Sequence, residues 1–329
     1  MLHTTRRGLL RNVVAGAAFG FGEYLTVTES AWAQHTRDPV PGFYRYKVGS
    51  VECTALYDGI WEKPHDPVFI ANATIEETKQ ALSSAGLTTA FVPIPMTVLV
   101  LNINGKLVLC DAGTGGQVQS LDRHHSITAG KMLVNMRAAG INPNDIETIL
   151  ISHFHPDHIY GLMTKDTNEP IFPHAEIIVP AAEYRWWTDA SLIERLPDAR
   201  KPLGRRIQAV FPNWRNILQV DGEDEVVLGV RFVSMPGHTP GHTAFHVSSG
   251  DAQLMISNDA AYLPALVAAH PGWHGVFDQD ASMAETSRRK LLDRVLAEKM
   301  TICGYHFPWP GVGTLAKQGN GYQLMPHQV

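Results

Sequence analysis

Apolar residues alternate with polar ones, or form short apolar runs, through most of the 329-residue chain, and this pattern predicts many β-strands. Residues 42–59, GFYRYKVGSVECTALYDG, alternate and turn like a hairpin. Residues 96–116 predict a second hairpin, because Asn104-Gly105 separates two strongly β-type runs. Further predicted strands are ETILIS (147–152), AEIIVP (175–180), EVVLGVRFVS (225–234), TAFHVSS (243–249), AQLMIS (252–257) and TIC (301–303).

Helical periodicity occupies the stretches between these strands. The predicted helices are 74–86, 127–139, most of 181–217, and 282–299. Thr74 with Glu77, and Ser282 with Glu285, have the spacing of a capping box. Groups of strands that are separated by helices predict an α+β fold, with two sheets packed face to face and helices outside. We expect one domain over residues 34–329.

The composition excludes two broad classes of protein. Charged residues are 18% of the chain and its net charge is −5, which indicates neither disorder nor a nucleic-acid partner. The three cysteines, Cys53, Cys110 and Cys303, all lie in strand-like apolar segments. We interpret them as small buried side chains rather than a disulfide framework or a zinc cluster.

The first 33 residues have the order of a secretory signal. Arg6 and Arg7 precede a modestly apolar stretch, VVAGAAFGFG, and AWAQ supplies a cleavage site near Ala33. The paired arginines resemble the twin-arginine type, and the apolar stretch is too short for a stable membrane anchor. An ordinary Sec signal or an uncleaved anchor is the alternative. We predict a periplasmic protein; removal of three arginines and two glutamates with this segment changes the net charge from −5 to −6.

Three histidines and an aspartate crowd into SHFHPDH, residues 152–158, directly after a predicted strand. A strand that ends in a loop can project His153 and His155 toward one point. Asp157 and His158 then turn at the start of the next helix and can face a second point. Neutral imidazoles and carboxylates are ligands for zinc and its transition-metal neighbours. The spacing therefore predicts a metal site.

Three more ligand types stand at other strand-to-loop junctions: His238 in MPGHTPGH, Asp259 in MISND and His306 in ICGYHF. Seven ligands suffice for two cations with a position left for water, as catalytic sites require. The predicted sets are His153, His155 and His238 on one cation, Asp157, His158 and His306 on the other, and Asp259 shared. Two divalent cations so placed would hold a bridging hydroxide. Zn²⁺ is the first choice, with Mn²⁺, Co²⁺ or Fe²⁺ as alternatives.

The motifs SHFHPDH, PGHTPGH, ISND and GYHF, preceded by LVLCDAG, resemble the metallo-β-lactamase fold superfamily over nearly all of residues 34–329. The resemblance implies an αββα sandwich. It also implies that Asp111 orients a metal ligand without binding the cation itself. We interpret His242 as a residue that stabilises the His238 loop in a similar way.

Two subfamilies match best. The opening PGFYRYKVGSVECTALYDG and the closing HFPWPGVGTLAKQGNGYQLMP resemble methyl parathion hydrolase, an exported dinuclear phosphotriesterase. The segment DAAY resembles the N-acyl-homoserine lactonases, in which a tyrosine three residues after the bridging aspartate hydrogen-bonds the lactone carbonyl. Tyr262 holds that place, and a packing tyrosine is the alternative reading. We predict Asp157, Asp259 and Tyr262 as catalytic residues.

The partner is therefore predicted to be a small-molecule lactone, ester or phosphotriester. Trp187, Trp273 and Phe307 are candidates for an apolar substrate wall, with core packing as the alternative. Lactone or ester hydrolysis is the leading function, and phosphotriester hydrolysis is its nearest rival. A mononuclear iron persulfide dioxygenase and a non-catalytic metal-binding protein are rivals of other classes. Analogy to the related phosphotriesterase suggests a homodimer.

Overall fold

The computed structural model describes residues 38–118 and 126–327. The predicted signal segment lies outside the described residues, so the signal and the route of export stay predictions. None of the helices within the described residues combines the length and the apolar character that crossing a bilayer requires.

The described strands form two mixed sheets. The first sheet contains β1 (Phe43–Val48), β2 (Val51–Lys63), β3 (Val92–Ile103), β4 (Lys106–Cys110), β5 (Ser126–Ala129), β6 (Ile146–Leu150), β7 (Glu176–Pro180) and β8 (Ile217–Val220). Its strand order is β1-β2-β3-β4-β6-β7-β8, and β5 pairs with β2. The second sheet contains β9 (Glu225–Val227), β10 (Val230–Ser234), β11 (Thr243–Ser249), β12 (Ala252–Ile256), β13 (Thr301–Cys303), β14 (Val312–Gln318) and β15 (Gly321–Pro326). Its order runs from β15 through to β9.

Seven α-helices are present in the described residues. They are α1 (Ile75–Ser84), α2 (Met132–Ala138), α3 (Pro156–Ile159), α4 (Ala181–Thr188), α5 (Leu192–Arg195), α6 (Lys201–Val210) and α7 (Ala281–Ala297). Of these, α2, α4, α6 and α7 cover the outer faces of the sheets. Met136 and Ile207 bury against the first sheet, and Leu292 buries against the second. Each such fully buried side chain contributes about 1.5–3 kcal/mol. The layers are helix, sheet, sheet, helix, so the predicted αββα sandwich is confirmed.

A separate apolar core fills the space between the sheets. It includes Leu101 and Val108 from the first sheet and Phe245 from the second. Cys53, Cys110 and Cys303 belong to this core, and all three are free and buried. The interpretation of the cysteines as small apolar side chains is therefore confirmed.

Two local predictions from turn and cap chemistry are confirmed. Thr74 caps α1, and its side chain and that of Glu77 form the reciprocal capping box. Asn104 and Gly105 both have positive φ, 54° and 89°, and join β3 to β4 with Ile103 paired to Lys106. A two-residue turn of this kind matches the right-handed twist of the two strands.

The predicted helix over 127–139 is wrong in its first part. Ser126–Ala129 forms β5 and pairs with Gly59 to Glu62 of β2. The residues there alternate between exposed and half-buried positions, which is the period of a strand. Gly130 has φ of 95° and turns the chain before the helix proper begins at Met132.

The predicted cap of the last helix is also wrong. Asp280, and not Ser282, is the N-cap, and its carboxylate accepts a hydrogen bond from Met283 N. Ser282 lies inside the first turn. Glu285 is occupied by Arg289 and His274 on the surface. An aspartate two positions earlier is an equally strong cap, so spacing alone could not separate the two.

The topology places several strand ends together. β4 and β6 are parallel neighbours in the first sheet, and β12 and β13 are parallel neighbours in the second. The carboxyl ends of parallel strands lie at the same edge of a sheet, so the loops after these strands meet at one edge of the sandwich.

Candidate metal centre

The first ligand cluster follows β6. The chain leaves the strand through Ser152, and His155 occupies the N-cap position of the short helix α3. Pro156 is the first residue of that helix, where its fixed φ and missing N–H are well tolerated. The strand-to-helix turn therefore places His153 and His155 before the helix, and Asp157 with His158 inside it, as predicted.

The other ligands follow strands of the second sheet. Asn258 has φ of 46°, a left-handed conformation that asparagine tolerates, and its side-chain amide donates to Thr243 O at 3.0 Å. This turn after β12 aims Asp259 inward. Gly237 has φ of 127°, and a Cβ there would lie 2.1 Å from Ala284 N of α7, so the loop that carries His238 needs a glycine.

Four ligand atoms form the first group: His153, His155, His238 and Asp259 each contribute one atom. His155 Nδ1 lies 3.0 Å from His153 Nε2 and 3.0 Å from His238 Nε2. Asp259 Oδ2 lies 3.2 Å from His238 Nε2. Ligand atoms that are each about 2.0–2.1 Å from one zinc ion lie within about 4.2 Å of one another, so these distances fit a single cation.

Asp157, His158 and His306 form the second group. Asp157 Oδ2 lies 3.3 Å from His306 Nε2 and 3.7 Å from His158 Nε2. The carboxylate of Asp259 reaches this group as well, with Oδ1 3.5 Å from His158 Nε2 and Oδ2 3.4 Å from His306 Nε2. One carboxylate therefore faces both groups, as the predicted bridging ligand must.

The polar atoms inside the cluster lack partners that a cation would supply. His158 Nε2 and Asp259 Oδ1 are buried without a hydrogen-bond partner. Burying such groups unpaired is costly, and facing imidazole lone pairs repel each other unless a positive charge lies between them. The donor set and its spacing thus fit two divalent cations.

The outward-facing nitrogens of four histidines are held by oxygen atoms. Nδ1 of each lies within hydrogen-bond distance of an oxygen: Ser152 Oγ for His153 (2.9 Å), Asp111 Oδ2 for His158 (2.7 Å), Asp278 Oδ1 for His238 (2.9 Å) and Pro95 O for His306 (2.8 Å). An Nδ1–H that donates outward leaves the Nε2 lone pair facing the cluster. This arrangement fixes the tautomer and ring orientation that a metal ligand needs.

Asp111 and His242 lie where the sequence analysis put them, beside the ligands. Asp111 accepts hydrogen bonds from Ser152 N and Ser152 Oγ, both at 2.8 Å, as well as from His158. His242 Nε2 accepts from Asp259 N at 3.1 Å, while its Nδ1 lies 3.2 Å from Met235 O. Each residue holds the loops that carry ligands without occupying a ligand position.

Sequence reasoning missed a buried carboxylate that joins two ligand loops. Glu183 of α4 accepts from Phe154 N at 2.9 Å, beside His153, and from Thr239 Oγ1 at 2.7 Å and Gly241 N at 2.9 Å, beyond His238. Nothing in the local sequence distinguishes Glu183 from an exposed helical glutamate. Its four hydrogen bonds, including one from the Trp187 indole, become visible only in three dimensions.

Tyr262 is 2% exposed, and its hydroxyl lies 3.5 Å from Asp278 Oδ2. A Cβ on Gly275 would lie 1.6 Å from the same hydroxyl, so the phenol is enclosed by that loop. This placement favours the packing alternative over contact with substrate. Tyr305, by contrast, donates to Asp157 O at 2.5 Å and supports a ligand helix directly.

The predicted substrate wall is corrected at two positions. Trp187 and Phe307 are fully buried in the two outer cores, so neither ring can line a pocket. Trp187 Nε1 donates to Glu183 at 2.7 Å instead. Trp273 stacks on His270, with ring centroids 4.0 Å apart, beside a surface groove of about 1120 Å³ that none of the seven ligands lines.

An aromatic group that the sequence analysis did not single out borders the support of His238. The rings of Trp61 and Phe69 pack on Phe277, with centroids 6.1 Å and 5.9 Å away. Phe277 immediately precedes Asp278, the carboxylate that contacts His238. This aromatic group therefore borders the loop that supports a ligand of the first group.

The electrostatics suit cation binding. Burial and then the charge of His158 lower the pKa of His153 well below its usual value, so this ring stays neutral. Burial alone would raise the pKa of Asp157, but His158 and His306 lower it to about 2. Burial would lower the pKa of His158, yet the carboxylates of Asp259 and Asp157 raise it well above its usual value. The carboxylates thus favour positive charge at the centre, which a bound cation would supply in place of a proton.

A sequence model of the Metallo-beta-lactamase superfamily matches residues 92–306. This range is more than half of the chain and contains all seven ligand residues. The chain therefore belongs to the metallo-β-lactamase superfamily, as the sequence motifs indicated.

Among curated proteins, the chain is similar to a "Probable metallo-hydrolase" of Mycobacterium tuberculosis, 32% identical over 185 residues that cover 50% of this chain and 56% of the relative. It is also similar to an N-acyl homoserine lactonase of a Bacillus species, 28% identical over 178 residues that cover 54% of this chain and 62% of the relative. The matched region is thus less than two thirds of either relative.

Solved structures resemble the whole fold. The dizinc quorum-quenching lactonase AidC, in complex with a product, has a TM-score of 0.79 and 27% identity, covering 88% of this chain and 98% of that one. The hydrolase AbOPH of the β-lactamase superfamily has a TM-score of 0.78 and 24% identity, with the same coverage. The second likeness concerns the fold alone.

Proposed function

We propose that this protein is a metal-dependent hydrolase that uses two divalent cations, zinc as the first choice, to open N-acyl-homoserine-type lactones or cleave carboxylic esters. The observation that carries the proposal is the meeting of seven ligand residues in two groups that share the Asp259 carboxylate. The similarity to curated and solved lactonases supports a lactone as the first substrate to test.

The cations would supply a nucleophile derived from water at neutral pH and would polarise the carbonyl of the substrate. The protein supplies the geometry. Asp111 and Asp278 hold two histidine rings in the orientation that exposes Nε2, and His242 holds the backbone of Asp259. Asp157 keeps a fifth of its side chain exposed, whereas Asp259 keeps 5%. Asp157 is therefore the more accessible of these two carboxylates.

The test is an assay of purified, metal-loaded protein on an acyl-homoserine lactone, an aryl ester and a phosphotriester, together with elemental analysis. We expect two divalent cations per chain and higher kcat/KM for the lactone or the ester. Turnover of the phosphotriester alone would make the rival phosphotriesterase reading correct.

The same preparation separates the rivals of other classes. One iron per chain and oxygen uptake with glutathione persulfide would indicate a persulfide dioxygenase. Two bound cations with no turnover of any member of a broad ester and lactone panel would indicate a metal-binding protein.

We also propose that residues 1–33 direct export to the periplasm by the twin-arginine route, since Arg6 and Arg7 are adjacent ahead of the apolar stretch. A pathway that moves folded proteins suits a chain that loads metal before export. Replacing both arginines by lysine should retain the protein in the cytoplasm, as fractionation would show. Continued export of the double variant would favour an ordinary Sec signal.

A further inference from the structure

Arg288 lies in the middle of α7, and its charged side chain is fully buried. It is fifty residues away from the candidate ligand His238 in the sequence. Its guanidinium donates to Asp278 Oδ2 at 2.9 Å through Nη2. The side chains of both residues are 0% exposed. A buried charge is rare unless it is paired, so the arginine and the aspartate each depend on the other.

Asp278 connects this ion pair to the metal centre. Its second oxygen, Oδ1, lies 2.9 Å from Nδ1 of His238. The chain of contacts therefore runs from Arg288 through one carboxylate to the ring of a ligand in the first group. An Nδ1–H that donates to Asp278 leaves His238 Nε2 free to face His155 and Asp259.

Arg288 also holds the backbone on two sides of the centre. Its Nε donates to Ala260 O at 3.0 Å, directly after Asp259. Its Nη1 donates to Pro271 O at 3.1 Å and Trp273 O at 3.2 Å, in the loop that leads to Asp278. One guanidinium thus contacts the turn of the bridging carboxylate and both ends of the loop that supports His238.

We propose that Arg288 is a positioning residue for the first cation site, formed by His153, His155, His238 and Asp259. It fixes the Asp278 carboxylate against His238 and fixes the turn of Asp259, and so sets the spacing of two of the four ligand atoms. The inference rests on the proposed function only in requiring that the site binds a divalent cation.

The shape of the guanidinium is what this role requires. Arginine presents five N–H donors in a rigid plane, and Arg288 uses Nε, Nη1 and Nη2 toward four acceptors. Lysine would keep the charge but has one nitrogen on a flexible stem, so it cannot reach Ala260 and Asp278 in the same geometry. A merely structural ion pair would stabilise the fold without controlling His238.

The experiment compares Arg288→Lys, Asp278→Asn and wild type, each loaded with two Co²⁺ per chain, and follows release to a chelator by visible absorption. Loss of such supporting contacts typically weakens metal binding about 10- to 100-fold. We expect one of the two Co²⁺ ions to leave at least about tenfold faster in both variants, while the other keeps its wild-type rate. Arg289→Lys is the matched control, since Arg289 is the next residue on α7 and pairs with Glu285 at the surface; it should behave as wild type.

Release of both Co²⁺ ions at wild-type rates in the two variants, with a lower free energy of unfolding, would overturn the proposal and leave Arg288 as a stabilising residue. Should Arg288→Lys fail to fold, Asp278→Asn keeps the proposal testable, because it preserves the size and shape of the side chain; release of both Co²⁺ ions at wild-type rates in that variant would overturn the proposal. The Co²⁺ readout needs no substrate, so it stands even if no lactone or ester is hydrolysed. If hydrolysis is found, kcat should fall more than KM rises in both variants, because only the cation site is disturbed.

Discussion

Asp259 has a different position from the other six ligands, because its two oxygens face both cation groups while its side chain is 5% exposed. We expect Asp259→Ala to bind one cation instead of two and to lose about 100- to 1000-fold in kcat, since several kcal/mol of charge stabilisation depend on the pair. Elemental analysis and steady-state kinetics check both. Asp251→Ala, at the exposed turn before β12, should match wild type; two cations retained in Asp259→Ala would contradict the bridging role.

The Tyr262→Phe substitution distinguishes a catalytic role of the Tyr262 hydroxyl from a packing role of its ring. Its hydroxyl lies against Asp278 and Gly275, so we expect Tyr262→Phe to change kcat on a lactone by less than about tenfold. A donor to a developing oxyanion would cost about 100- to 1000-fold when removed. A loss of that size, measured with folded variant that holds both cations, would restore the catalytic role suggested by the DAAY segment.

His242 should make the metal-free protein sensitive to acid. Burial, and then the charge of His238, lower the pKa of His242 from 6.5 to about 3. Because the pKa of His242 is lower in the folded than in the unfolded chain, its contribution to stability is complete at pH values above 6.5. This contribution is lost as the pH falls from 6.5 toward 3. In this pH range, the free energy of unfolding of His242→Gln should fall less steeply than that of wild type, by up to about 1.4 kcal/mol per pH unit. Urea unfolding at several pH values measures it; the exposed His174→Gln is the control, and parallel curves for wild type and His242→Gln would refute the assignment.

Some residues of the candidate site can be predicted from the sequence, and others cannot. The seven candidate ligands could be singled out because each is a histidine or aspartate that follows an apolar strand, and the structure brings them together in two groups. Glu183, Asp278 and Arg288 could not, because their neighbours in sequence are ordinary helix and loop residues. Their roles depend on partners as far as 58 positions away in the chain, which meet them only after folding.

At the level of elements, the His238 loop packs closely against α7. Gly237→Ala would place Cβ 2.1 Å from Ala284 N, at φ of 127°. We expect overpacking to cost about 1–3 kcal/mol beyond the conformational cost, and the displaced loop to weaken cation binding. Chemical unfolding and Co²⁺ titration measure the two effects.

Gly222→Ala is the control for this substitution. Gly222 has φ of 74° but no neighbouring atom within 4 Å of a built Cβ. It should therefore carry only the cost of a left-handed alanine, about 1–2 kcal/mol, with unchanged cation affinity. Equal changes in the free energy of unfolding and in cation affinity for the two variants would show that the close approach of α7 does not exclude a side chain at position 237.

The sequence predicts an element correctly where a short motif is compatible with only one local structure. The Asn104-Gly105 turn and the Thr74 cap are such motifs. Segment 126–129 was misjudged because four residues with mixed polarity fit a helix or a strand, and pairing with distant β2 decides between them. The order of strands in each sheet could not be predicted, because it depends on packing between residues far apart in the chain.

On the scale of the whole molecule, the metal centre joins the two sheets. His153, His155, Asp157 and His158 follow a strand of the first sheet, whereas His238, Asp259 and His306 follow strands of the second. Cations bound at this centre would therefore stabilise the closed sandwich. Above saturation, each tenfold rise in free Zn²⁺ should add about 1.4 kcal/mol per site to the free energy of unfolding.

Thermal unfolding across a series of buffered Zn²⁺ concentrations, with a chelated sample as reference, measures this dependence. The rise in Tm should be reduced in Asp259→Ala, which lacks the shared ligand. A Tm that does not respond to Zn²⁺ or to chelation would mean that the cluster does not bind the ion in the folded protein.

The burial of all three cysteines has a consequence for handling and for chemistry in air. Oxidants and alkylating agents react with accessible thiolate, whereas burial raises the pKa of Cys53 to about 12 and also raises those of Cys110 and Cys303. The folded chain thus presents no thiol that could cross-link it to another molecule. Purification and storage should require no reductant, and an intact-mass measurement after mild peroxide treatment should find the cysteines unmodified.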